Sequence, residues 1–289
     1  MSKRPLTAQE AFDLRQTLQI ATLGALMASR RWEAGDLIFQ GGTSLHLAYR
    51  SPRFSEDLDF LIRDVLASPA LAESVNERLR ATTWPAAARP FTITVTPAKI
   101  RDSGLLSFDV RASSDKIMGS VRVNVEFWKA RPEALARIRA TVMPLSGADP
   151  ETGLVAHIPT ASLEEIHADK VFAAGGRPYL KPRDMFDLHW LAQQHGITQV
   201  TEDQMRARLD LYPDTSREAW IAQAEERLAR WAEFTQTVRE DIRRWLPDYW
   251  PLTDEEIAAM MESASASLRQ GVDILRAMDA ECHTVETLR

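Results

Sequence analysis

The sequence predicts an α/β (α+β) protein: an N-terminal mixed sheet with flanking helices, followed by a C-terminal helical bundle. Three observations carry this. Up to about residue 155 short strand signals mix with helical stretches, and 121–128 alternates apolar and polar residues strictly, as a half-buried strand does. From about residue 160 onward only helical patterns recur. A chain of 289 residues, 45% hydrophobic and 26% charged, has enough apolar material for one large soluble domain or two modest ones. The change of character places an α/β domain at 1–155 and a helical domain at 156–289.

The elements follow in order. Thr7-Ala8-Gln9-Glu10 is a capping-box pattern, in which the hydroxyl and carboxylate each satisfy an orphan amide, and it opens a helix to about residue 29. Residues 36–39 form a short strand, broken by Gly41-Gly42. A short helix is expected at 43–49, a strand at 58–62 and a helix at 70–80. Strands are then expected at 91–95, 106–111, 121–128 and 140–144. In the second half Ser162-Leu163-Glu164-Glu165 opens a helix toward residue 174. Another runs over 181–195 with Gly196 as its stop, and the chain is helical from Thr201 on, with a further capping box at Thr253-Asp254-Glu255-Glu256. Trp190, Trp220, Trp231, Trp245 and Trp250 fall in this half. Bases can stack on such rings, but in amphipathic helices they are more often core, and core is the reading taken here.

Composition excludes some function classes. No run approaches the roughly eighteen apolar residues of a membrane span, and no apolar segment follows the basic start as in a signal peptide. Cys282 stands alone, so neither an intramolecular disulfide nor a cysteine zinc cluster is available. A cytoplasmic protein is expected. The net charge of −6 argues against a broad nucleic-acid coat, but Lys99, Arg101, Arg111, Lys116, Arg122, Lys129 and Arg131 gather in one stretch. They read either as a solvated sheet edge or as a local basic groove.

The chemistry concentrates in Gly41-Gly42-Thr43-Ser44 and Ser55-Glu56-Asp57-Leu58-Asp59-Phe60. Paired glycines before a helix let a phosphate approach backbone N–H groups at a positive dipole end, and Thr43 and Ser44 add hydroxyls. Asp57 and Asp59, two apart in an extended segment, point to one face while Leu58 and Phe60 point to the core. Two carboxylates on one face repel unless a cation joins them, and magnesium suits hard oxygens combined with substrate phosphates. The bland alternative pairs the acids with Arg53 or Arg63. Glu126, on the outer face of the 121–128 strand with Arg122 and Asn124, is either a third metal ligand or a solvated strand residue.

These residues closely resemble the first motif of the AbiEii/AbiGii nucleotidyltransferase toxins, of the DNA polymerase β-like superfamily. The resemblance continues at Glu164-Glu165-Ile166-His167-Ala168-Asp169-Lys170, where Lys170 matches a functional helix lysine. It continues again at Arg183-Asp184-Met185-Phe186-Asp187-Leu188, where Asp184 or Asp187 matches a functional acid. The resemblance implies a toxin of a type IV toxin–antitoxin or abortive-infection system, with two Mg2+ ions on Asp57 and Asp59; Glu126, assigned only by its place on the strand, would ligate one of them. It implies an NTP held by Gly41, Gly42, Thr43, Ser44 and Lys170. It also implies an RNA acceptor, the 3′ end of tRNA, and a cognate antitoxin, with no membrane. Asp184 or Asp187 would orient Lys170 or the nucleotide. Lys170 is expected to be exposed, so that losing it harms turnover more than stability. His46, His167 and His189 lack zinc spacing and read as ordinary residues. Two rivals remain: transfer to a small molecule such as an aminoglycoside, and a non-catalytic nucleotide-binding module.

Overall fold

A computed structural model describes residues 3–101, 104–146 and 155–287. The chain divides into two compact units. The first comprises Met1–Arg50 and Ser55–Ala161, the second Ser51–Phe54 and Ser162–Arg289.

The first unit runs β1 (Arg4–Pro5), α1 (Ala8–Ala28), β2 (Leu37–Gln40), α2 (Gly41–Tyr49), β3 (Leu58–Arg63) and α3 (Ala70–Arg80). It continues with β4 (Thr92–Val95), β5 (Lys99–Ile100), β6 (Leu106–Ser113), β7 (Ile117–Met118), β8 (Ser120–Ala130), α4 (Pro132–Leu135), β9 (Ala140–Ser146) and β10 (Val155–Ala161). Among the described residues the main sheet has eight strands in the order β4-β6-β8-β3-β2-β10-β9, with β5 beside β6. It is mixed: β3 is parallel to β8 and β10 to β2, whereas β2–β3, β6–β8 and β9–β10 are antiparallel. The capping box at Thr7 forms as expected. The sheet goes on through β10, past the boundary expected at 155, because β10 pairs with β9 just before it and with β2 far away in the chain. Thr160 pairs with Phe39, and Pro159 with Val142.

One packing row sets the register. Phe39 lies opposite Phe60, and Phe60 opposite Phe127. Their rings are 5.3 and 5.1 Å apart between centroids, and Phe108 adds a fourth ring 5.9 Å from Phe127. All are buried against α1 and α3 in one continuous core. Strand side chains alternate between faces, so whatever stands one position along from this row is placed together on the other face.

The second unit contains α5 (Leu163–Gly176), α6 (Pro182–His195), α7 (Glu202–Leu211), α8 (Arg217–Ala229), α9 (Thr235–Ile242) and α10 (Asp254–Thr287). Gly196 ends α6 in the left-handed conformation, φ +66°, as its sequence position predicts. Trp220 is fully buried, stacks on Phe172 and donates to the Phe172 carbonyl at 2.7 Å. A Cβ on Gly175 would lie 2.2 Å from that indole, so the glycines closing α5 make room for the ring. Trp190 is buried as well. Trp231, Trp245 and Trp250 are only part-buried, with Trp245 covered by the Arg183 guanidinium at 4.1 Å. Among the described residues no helix is long and apolar enough to cross a membrane.

Candidate active site

The first unit gathers its chemistry one position along from the aromatic row. Gln40, Asp59, Glu126, Ser107 and Lys99 are successive partners across β2, β3, β8, β6 and β5. Asp59 and Glu126 are therefore side by side on strands about 4.8 Å apart. Asp57 is the second residue before Asp59, at the mouth of β3. Gly41 stands over this pair. Its φ is +79°, which favours glycine, and a Cβ there would meet Asp59 Oδ2 at 2.6 Å. Glycine is needed twice, for the turn and for the space above the carboxylate.

The hydroxyls do something other than expected. Thr43 and Ser44 are fully buried, and their side chains bind the loop itself: Thr43 donates to the Asp57 carbonyl, and Ser44 to the Gly41 carbonyl at 2.8 Å. Gln19, buried on α1, donates to the carbonyls of Ser55 and Glu56 at 3.0 and 3.3 Å. Arg15 pairs with Glu56 at 2.9 Å. The loop that delivers Asp57 is thus held from two helices. Sequence reading missed Gln19; the available signal was a run of polar residues on an otherwise apolar helix. Arg53 and Arg63, the basic partners considered for the two aspartates, pair with Asp187 and Asp36 at 2.6 Å.

Hard oxygens beside an open glycine fit magnesium, which needs only one or two protein carboxylates when phosphates and waters complete its shell. Among the described residues no three His, Cys, Asp or Glu side chains form a ready ligand group. Glu126 is a register neighbour whose Oε1 accepts from Asn124 at 2.9 Å and from Arg101 at 3.2 Å. Of the seven basic residues, Lys99, Arg111 and Arg122 share this sheet face by register, and Arg101 reaches it through Glu126. Arg111 and Arg122 are direct partners, both exposed, and Asp109 lies 3.8 Å from Arg122. Lys129 has the opposite strand parity, opposite Ile62, while Lys116 and Arg131 lie outside the strands.

In the second unit, Lys170, Asp184 and Asp187 come together. Asp184 and Asp187, three apart, share one face of α6. Lys170 of α5 places its Nζ 2.6 Å from Asp184 Oδ1 and 2.7 Å from Asp187 Oδ2. Arg53 holds Asp187 with two parallel bonds, 2.6 Å from Nε and 2.8 Å from a terminal nitrogen, and Arg177 pairs with Asp184. Lys170 is not the exposed residue expected: only 8% of it is accessible. Burial pushes its pKa down, but Asp184 and Asp187 outweigh burial and raise it, so the ammonium stays charged. Burial likewise pushes Asp184 up, and Arg177 and Lys170 overcome this and hold it below the usual carboxylate range. Asp187 is held low in the same way, by Arg53 and Lys170. Lys181 is lowered by burial and by Arg177 nearby. These groups are four cations, Arg53, Lys170, Arg177 and Lys181, around two carboxylates, a surplus of positive charge.

A glycine turn into a helix, followed by Asp57 and Asp59 at the head of the next strand, fits a nucleotidyltransferase, and the family match makes that the class of this enzyme. The family description "Nucleotidyl transferase AbiEii toxin, Type IV TA system" matches residues 25–266, and the chain belongs to that family. No curated protein matches. Among solved structures, JHP933 from Helicobacter pylori aligns over 98% of this chain and 99% of its own at 17% identity, with TM-score 0.51. A putative nucleotidyltransferase from H. pylori aligns over 95% and 98% at 17% identity, with TM-score 0.50. MenT4, a nucleotidyltransferase toxin from Mycobacterium tuberculosis H37Rv, aligns over 92% and 85% at 19% identity, with TM-score 0.50. At these identities the likeness is one of fold.

Proposed function

We propose that the protein transfers a nucleoside monophosphate from an NTP to an RNA acceptor, the 3′ end of a tRNA, and so stops translation. The observation that carries this reading is the sheet face where Asp59 and Glu126 stand in register beside Gly41 and share a side of the sheet with Lys99, Arg111 and Arg122. Arg111 and Arg122, two like charges directly opposite on neighbouring strands, repel each other. A phosphate backbone laid across these two arginines removes that cost, whereas a cationic aminoglycoside would be repelled by them.

Magnesium, as two ions held by Asp57 and Asp59 with Glu126 on one of them, would neutralise the triphosphate and lower the pKa of the acceptor hydroxyl. The amides at Gly41 and Gly42 offer donors to phosphate oxygens at the start of α2. Thr43 and Gln19 hold the Asp57 loop in place through its carbonyls. Lys170 supplies positive charge to the phosphates as pyrophosphate leaves, and Asp184 and Asp187 keep its ammonium charged and aimed. Membership of a type IV toxin–antitoxin family implies a cognate antitoxin and an NTP substrate. We place the protein's action in the cytoplasm, inhibiting growth or limiting phage.

The test is incubation with each labelled NTP and total RNA, with and without Mg2+. Label on tRNA-sized species that disappears on chelation is the expected result. Label confined to added aminoglycosides, or transfer insensitive to chelation, would overturn it.

A further inference from the structure

The positive charge of the second unit is not spent evenly. Arg53 and Lys170 are buried and locked to the carboxylates of Asp187 and Asp184, and Arg177 pairs with Asp184 as well. At the start of α6 the position is different. Lys181 and Arg183 are both part-buried, and among the described residues neither side chain makes a hydrogen bond or an ion pair. Arg183 instead sits over the Trp245 ring, 4.1 Å from its centre. We propose that Lys181 and Arg183 form a binding site for an oligophosphate, either the tail of a nucleotide or the pyrophosphate it releases. This rests on the reading above that the second unit supplies positive charge to substrate phosphates.

Charge decides the class of ligand. The strongest charges acting on Lys181 are Arg177, Asp184, Arg183 and Lys170, three cations and one acid. That acid is already shared between Lys170 and Arg177. Like charges held together away from bulk water disfavour one another unless an anion lies among them. With Arg53, five cations meet the two carboxylates of Asp184 and Asp187, so a ligand with several negative charges balances the cluster better than a single carboxylate does. The donors suit phosphate in particular. The indole beneath Arg183 holds its guanidinium without using its N–H groups, which leaves the fork for two parallel bonds to phosphate oxygens. Lys181 adds a mobile point charge. The neighbouring indoles bring no competing acceptor, since Nε1 of Trp245 and of Trp250 are buried donors without a partner. Lys170, only 8% accessible, acts on the ligand from behind the two aspartates, and the contact falls to Lys181 and Arg183.

The test is calorimetric titration of the full chain with tripolyphosphate in the presence of EDTA, so that no divalent cation takes part. Lys181→Gln and Arg183→Gln should each weaken binding about tenfold. Arg183→Lys keeps the charge but loses the fork, and should fall between; it carries the test if Arg183→Gln does not fold. Lys181→Gln should melt no lower than the unaltered protein, because it removes a repelled charge and not a partner. No binding by the unaltered protein, or binding unchanged in both glutamine variants, would overturn the proposal. So would a short RNA oligonucleotide that binds as tightly and is lost in the same variants, which marks a site for backbone phosphodiesters. Nucleotide transfer is measured alongside. If tripolyphosphate binds at Lys181 and Arg183 but the unaltered protein transfers no nucleotide, the site stands and the transferase reading falls. If the protein transfers nucleotide and the variants bind tripolyphosphate normally, the site alone falls.

Discussion

Asp59 is the residue on which the reading turns, because it is the shared neighbour of Gly41, Gln40 and Glu126. Asp59→Asn removes one ligand charge without changing shape, and nucleotide transfer should fall on the order of a hundredfold or more, with the melting temperature little changed. A folded variant transferring at the parental rate would remove the metal site from Asp59. Gly41→Ala tests the space above it. The left-handed backbone costs about 1–2 kcal/mol for a residue with a side chain. The added methyl also displaces the Asp59 carboxylate, so activity and stability should drop together. Lys170 reverses the expectation drawn for an exposed lysine. Lys170→Ala leaves two carboxylates buried against fewer cations and should cost about 3–5 kcal/mol of stability, measurable in urea. Lys170→Arg should recover much of that. Residue types and spacing singled out Asp57, Asp59 and Gly41 as candidates, and the family resemblance singled out Lys170. Arg53 was not singled out, since its partner is 134 positions away and nothing local distinguishes it from a surface arginine.

Among the elements, those written in local chemistry were legible: α3 at Ala70–Arg80, α6 with its Gly196 stop, and α1 behind the Thr7 capping box. β10 was not. Pro159 and His157 interrupt its apolar pattern, and it becomes a strand only because β2 and β9 offer backbone partners. β8 was the clearest strand, and its strict alternation is what brings Glu126 to the same face as Asp59. The Phe39–Phe60–Phe127 row holds that register. Phe60→Ala should therefore cost about 3–5 kcal/mol and loosen the site as well as the core. The opposed Arg111 and Arg122 belong to the same sheet face. Reversing both to glutamate should raise the KM for RNA severalfold and flatten its salt dependence, with the KM for NTP unchanged. An RNA affinity that ignores both the charges and the salt would favour a small-molecule acceptor instead.

At the scale of the whole molecule, the two units carry different titration chemistry, and acid should separate them. In the second unit His167 is fully buried on α5, with Nδ1 lacking a partner and Nε2 3.4 Å from Ser267 Oγ. Burial, with Arg208 nearby, pushes its pKa down to about 4. The unfolded chain has an ordinary histidine near pH 6.5. Between those values the unfolded state binds the extra proton, so stability falls as pH drops from about 6.5 to about 4, by roughly 3 kcal/mol in all. Asp184 and Asp187 act lower down. Their folded pKa values are depressed, so their contribution is present above the usual carboxylate value near 4 and is lost as pH falls below it. Lys170, raised in the fold, stabilises below its ordinary value near 10.4 and loses that as pH rises beyond it. Five of the eight tryptophans lie in residues 162–289, so indole fluorescence reports mostly on this unit. Urea unfolding followed by fluorescence at pH 7 and pH 5 should show its midpoint moving to lower urea at pH 5. His167→Gln, which cannot take up the proton, should remove most of that movement. A midpoint equally sensitive in His167→Gln would assign the acid response to other groups and leave His167 as packing alone.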